Sequence, residues 1–99
     1  MKEISIFDKV FEVLDLSEVD EYSNPKAFIK LSNGKWDWFI VACECEYYTG
    51  DVYCFGLVNG FEKELGFFYL SEVFDVGAWI VEDFVPIGVF DIFPDFDLR

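Results

Sequence analysis

Cysteines and carboxylates are the side chains of this 99-residue chain that could do chemistry, and there is no His to join them. Cys43-x-Cys45 with Cys54 offers three soft ligands, one short of the four Cys or His donors of a structural zinc site. Small buried thiols are the favoured reading of all three. The carboxylate pairs Glu44 with Glu46 and Glu82 with Asp83 could serve glycoside chemistry only if two groups of separated pKa flanked a cleft. A domain of this size has little room for one, so solvated strand edges are favoured. Asp91, Asp95 and Asp97 lack the loop spacing and glycine of a calcium-binding hand. Gly56, Gly60 and Gly66 read as hairpin punctuation and form no phosphate-cradling motif. With no His, and no Ser in a nucleophile motif, nucleophilic hydrolysis is a poor expectation. The residues point to a protein without catalytic activity, metal or cofactor.

Charge is the outlying property. Twenty acidic residues against seven basic ones give a formal net charge of −13, and from Trp36 to Leu98 Lys63 is the only basic residue among thirteen acids. Such a field repels nucleic acid and anionic membranes and attracts basic surfaces, less so as salt rises. At 54% hydrophobic with thirteen Phe, the chain is too apolar to stay disordered, and its length suits one domain around one core. No apolar run reaches the roughly 18 to 20 residues of a membrane span. Met1 to Ser5 lacks the apolar core of a signal peptide, and an odd number of cysteines does not read as a secreted disulfide framework. The expectation is a cytoplasmic location.

Ile6, Val10, Val13 and Leu14, with Phe7 and Phe11 beside them and Ser5 as N-cap, have helical spacing and predict a short amphipathic helix. Asp15 to Lys26, with Ser23-Asn24-Pro25, reads as a loop. Strands are expected at 27–31, 36–47, 52–58 and 65–70, then a single helical turn from Ser71 as N-cap to Gly77 as stop, and a strand over 78–85. A four-residue loop 48–51 would set Tyr47 opposite Val52 and Cys45 opposite Cys54. Period-2 alternation then puts Phe39, Val41, Cys43, Cys45, Val52, Cys54 and Val58 on a core face. Trp36, Trp38, Ile40, Glu44, Glu46, Tyr53, Phe55 and Leu57 fall on the other. In the tail, Phe90, Ile92 or Phe93 is expected to close the core as a last strand. The fold expected is α+β, an N-terminal helix packed on a mainly antiparallel twisted sheet of four to six strands, with an all-β fold as the alternative.

The segment Phe55-Gly56-Leu57-Val58-Asn59-Gly60-Phe61-Glu62-Lys63-Glu64-Leu65-Gly66-Phe67-Phe68-Tyr69-Leu70-Ser71-Glu72 resembles the signature of the domain of unknown function 2958 family, and the likeness extends back through the Trp-rich strand 36–41. The resemblance implies a phage, plasmid or other mobile-element setting and no particular activity. The chain departs from the family after Ser71, where the helical stretch is shorter and Glu82-Asp83 stands in place of an acidic-basic pair.

Together these readings lead to the expectation of a non-enzymatic inhibitor that imitates DNA before a basic nucleic-acid-binding host complex, in an anti-restriction or anti-CRISPR role. The expected surface comprises Glu44, Glu46, Asp51, Glu62, Glu64, Glu72, Asp75, Glu82 and Asp83. The alternative is a protein-interaction module docking through Trp36, Trp38, Tyr53, Phe55, Phe93 and Phe96. Neither reading involves direct nucleic-acid or membrane binding, and the protein would act as a monomer or homodimer.

Overall fold

The computed structural model describes residues 1–20 and 22–94. It shows a mostly β protein, and the expected N-terminal helix is absent. Its place is taken by an antiparallel hairpin of β1 (Lys2–Ile6) and β2 (Lys9–Asp15), with Ser5 in mid-strand. Ile4 and Ile6 are buried while Glu3 and Ser5 are exposed, so period 2 governs the segment. The two-residue turn carries Phe7 at φ 49° and Asp8 at φ 65°, positive at both central positions as in a type I′ turn. The spacing of Ile6, Val10 and Val13 suits a helix, but their β-branching suits a strand, and tertiary pairing decides.

A 3₁₀ turn at Leu16–Glu18 leads into β3 (Lys26–Ala27), β4 (Ile29–Ser32), β5 (Asp37–Cys45), β6 (Val52–Asn59) and β7 (Lys63–Tyr69). Helix α1 (Leu70–Asp75), β8 (Trp79–Ile80), β9 (Ile87–Gly88) and α2 (Val89–Ile92) follow. Seven strands share one sheet and β3 pairs with β9 in a second. Along one edge β5 pairs with β6 and through it β7; its other edge is divided between β4, which takes Asp37 to Ile40, and β2, which takes Ala42 and Cys43 in parallel.

The β5–β6 register breaks where β5 changes partner. Ile40 faces Gly56 but Ala42 faces Phe55, so Val41 is the extra residue of a β-bulge. The bulge resets the alternation. Trp38, Ile40 and Cys43 lie in one core with Cys54, Ile29, Leu31, Leu70 and Val73, and Phe39, Val41, Ala42, Phe55 and Leu57 lie in another with Ala27, Val89 and Phe90. The single core face expected for β5 is thus corrected. Phe39 and Val41 belong with Phe55 and Leu57, while Trp36, Trp38 and Ile40 belong with the cysteine side. Gly56 and Gly66 face each other inside strands and do not mark turns.

The hairpin register is also corrected: Cys45 faces Val52 and Cys43 faces Cys54, so the loop spans six residues, 46–51. The Cys43 and Cys54 sulfurs lie 3.5 Å apart in the core as free thiols, whereas Cys45 is exposed. The neighbouring Cys43 thiol and burial together push the Cys54 thiol far up, so no thiolate forms there at neutral pH. In a titration with a water-soluble aromatic disulfide reagent, one thiol per chain should react in native protein and all three in denaturant. Fast reaction of two or three in native protein would contradict this burial.

α1 starts two residues earlier than expected, with Tyr69 as its N-cap and not Ser71, and it stops near Gly77 at φ 84°. Leu70 and Val73, three apart, face the first core, and Phe74 meets Phe7 of the hairpin turn at 4.8 Å between ring centroids. The strand expected over 78–85 is only Trp79–Ile80. The C-terminal segment closes the second core with Val89 and Phe90, as a helical turn and not a strand.

Candidate functional site

Glu46 and Asp51 close the β5–β6 hairpin. The Glu46 N–H donates to the Asp51 carbonyl at 2.8 Å, and the Gly50 N–H, at a residue with φ 71°, donates to the Glu46 carbonyl at 3.0 Å. Their side chains are then held by neutral donors. The Thr49 hydroxyl reaches Glu46 Oε1 at 3.2 Å and the Tyr69 hydroxyl reaches Oε2 at 3.2 Å. Asp51 accepts from the Ser71 hydroxyl at 2.5 Å and from the Val52 N–H at 2.8 Å. The Ser71 hydroxyl keeps the Asp51 carboxyl below its ordinary range, outweighing partial loss of water. Partial loss of water and then donation to Glu46 push the Tyr69 phenol up.

Two further expected acids join this tip. Glu44 lies in the cross-strand row Glu44, Tyr53, Tyr69 and is exposed, and Glu72, next to Ser71, accepts from the Tyr69 N–H at 3.4 Å. Between Glu46 and Asp51 stand Tyr47 and Tyr48, 92% and 95% exposed and edge-to-face at 5.3 Å. The tip is therefore a cluster of carboxylates around two solvent-facing rings, with Glu46, Asp51 and Glu72 held by hydrogen bonds.

The remaining acids stand elsewhere. Glu62 and Glu64 flank the β6–β7 turn at the opposite end of β6, whose eight residues span roughly 23 Å at the usual strand rise. Asp75 ends α1. Glu82 and Asp83 follow β8, and Glu82 is ion-paired with Lys9. The nine acids do not make one continuous patch.

Among the described residues the other ion pairs are Met1 amine to Glu18 at 3.1 Å and Lys2 to Asp15 at 2.6 Å. The Lys2 ammonium, with the Ser17 hydroxyl, lowers the Asp15 carboxyl to about 2. Among the described residues Glu82 alone of the nine expected acids has an ion-pair partner, and Lys2, paired with Asp15, is close enough to Glu44 to feel its charge.

Of the aromatic candidates, Trp38 and Phe55 are core residues, 5% and 4% exposed, and cannot act as surface anchors. Phe93 packs against the second core beneath Lys63, whose ammonium lies 4.5 Å from the ring centroid. Tyr53 is half-buried and stacked on Phe67 at 5.2 Å. Trp36 remains half-exposed. Phe96, with Asp95 and Asp97, lies outside the described residues. Tyr47, Tyr48 and Phe61 were missed as candidates. Their signal in the sequence is an aromatic residue beside turn glycines and acids, where no core position is available.

No family model, curated protein sequence or solved structure matches the chain. No helix among the described residues is long and apolar enough to cross a membrane.

Proposed function

We propose that this protein is a non-enzymatic acidic binder that seats its β5–β6 tip in a cationic groove of a nucleic-acid-handling partner, imitating the phosphates that the groove ordinarily holds. The observation that carries the reading is the pre-ordering of Glu46 and Asp51 by Tyr69, Thr49 and Ser71 with no ion pair to either among the described residues. Carboxylates already in place lose little conformational entropy on meeting Arg or Lys. Glu44 and Glu46, two apart on an extended chain, stand roughly 6.6 Å from each other, about twice the phosphate rise along one DNA strand. The mobile-element setting implied by the family resemblance favours an anti-restriction or anti-CRISPR partner. The smaller extent of the cluster, four acids and not nine, makes the contact local.

A second reading, an interaction module anchored by aromatic rings, draws on the exposure of Tyr47 and Tyr48. The two separate in one experiment. Restriction or CRISPR effector complexes of a host are captured on immobilised protein, then challenged with salt, with duplex DNA, and with two variants. Mimicry predicts release as salt rises, displacement by duplex DNA, and about tenfold or greater loss of affinity in the triple variant Glu44→Gln, Glu46→Gln, Asp51→Asn. Capture that survives salt, DNA and the triple variant but fails in Tyr47→Ala, Tyr48→Ala supports the module and overturns mimicry.

A further inference from the structure

At the opposite end of the sheet, Trp36 stands at the centre of a second, unassigned site. One face of its indole lies on the Gly60 backbone, so close that a Cβ there would sit 2.5 Å from the ring. Phe61 meets it edge-on at 5.3 Å although Phe61 itself is 94% exposed. An exposed ring at a turn tip has no reason to be apolar for folding, since it covers no core. Two adjoining clefts of about 410 and 340 Å³ share Trp36 and Phe67 as a wall. Gly66 lines the smaller cleft, and a Cβ on it would meet nothing within 4 Å, so this stretch of the wall is open. Glu72 lies on the larger cleft, Glu62 and Glu64 on the smaller.

Among the described residues none of these three carboxylates has an ion pair. Lys63 lies over Phe93, on the other side of the sheet, and Lys35, exposed on the turn before Trp36, pairs with none of them. An apolar occupant would take these carboxylates out of water without a countercharge, and an anion would be repelled. A planar cation satisfies both parts of the site, stacking on indole while its edge hydrogen-bonds a carboxylate.

We infer that the Trp36–Phe61 cleft binds the guanidinium of an arginine presented by a partner protein. Lysine is the poorer fit, because its ammonium is compact, strongly hydrated and unable to stack. The Trp36–Phe61 cleft lies at the far end of β6 from Glu46 and Asp51, and of the tip acids Glu72 alone borders the adjoining larger cleft.

The test follows the Trp36 indole N–H by NMR, assigned with Trp36→Phe, while the full-length protein is titrated with N-acetyl-arginine amide, N-acetyl-lysine amide and N-acetyl-leucine amide. A single side chain should bind in roughly the millimolar range, with arginine tightest. Phe61→Ala, at a ring that supports no core, should weaken arginine roughly three- to tenfold. Glu62→Gln with Glu64→Gln should weaken it and flatten its salt dependence, and Glu46→Gln should leave it unchanged. No saturable shift at Trp36, an equal response to lysine or leucine, or an unaltered affinity in Phe61→Ala would each overturn the assignment. Because Glu46→Gln acts only at the tip, failure here and failure of DNA mimicry are told apart.

Discussion

Gly56→Ala is expected to remove about 3 kcal/mol or more of stability, a large share of the roughly 5 to 15 kcal/mol that holds a small domain folded. A Cβ at position 56 would stand 2.0 Å from the Phe39 carbonyl oxygen and 2.9 Å from its carbon. Both are backbone atoms of β5, so no side-chain rotation relieves the contact, and the strand carrying both cores would have to move. The contact adjoins the bulge at Val41, where Ile40 faces Gly56. Gly66, directly opposite on β7, has open space at its Cβ position, and Gly66→Ala should be neutral or stabilising by about 0.5 to 1 kcal/mol. Urea denaturation followed by tryptophan fluorescence measures both variants. Equal, small effects at the two glycines would show that the β5 backbone does not crowd residue 56.

Asn24→Ala is expected to cost about 2 to 4 kcal/mol, although residue 24 lies in an irregular loop. Asn24 adopts φ 59°, a conformation that Asn tolerates and Ala does not. Its Oδ1 accepts from the Phe90 N–H at 2.8 Å and its Nδ2 donates to Asp91 at 3.0 Å. The adjoining Pro25 carbonyl accepts from the Val89 N–H at 2.9 Å. These bonds clamp α2, with Val89 and Phe90, over the second core. Asn24→Gly separates the two causes, since glycine accepts the backbone angle but removes the Oδ1 that accepts from the Phe90 N–H. It should recover about 1 kcal/mol of the loss. Hydrogen exchange should show faster opening at Phe90 in both variants while the β1–β2 hairpin stays protected. An Asn24→Ala protein as stable as the parent would remove the clamp.

Much of the local structure was legible because near neighbours along the chain decide it. The strands at β4 to β7 stand where β-branched and aromatic residues gather between turn residues, and the helical turn ends near Gly77 as its left-handed φ requires. The N-terminal segment was misread because Ile6, Val10 and Val13 are spaced as on one helix face, although Val10 is exposed and Ile6 and Val13 are buried on separate strands, while its turn residues, Phe7-Asp8, lack the usual Asn-Gly or Asp-Gly signal. Of the candidate sites, the acids could be named but not grouped. Glu44, Glu46, Asp51 and Glu72 converge only because β7 and α1 bring Tyr69 and Ser71 beside the hairpin tip.

By itself, then, the sequence determined a folded, strongly anionic chain with strands over its middle half, because apolar content, charge and turn chemistry are properties of residues and their near neighbours. Tertiary structure alone decided three things: that β5 exchanges one partner strand for another, that the exchange places a bulge at Val41, and that the bulge sends Phe39 and Cys43 into different cores. A single inserted residue reverses every side chain beyond it, and its position depends on which strands arrive from afar, which no local pattern in β5 records.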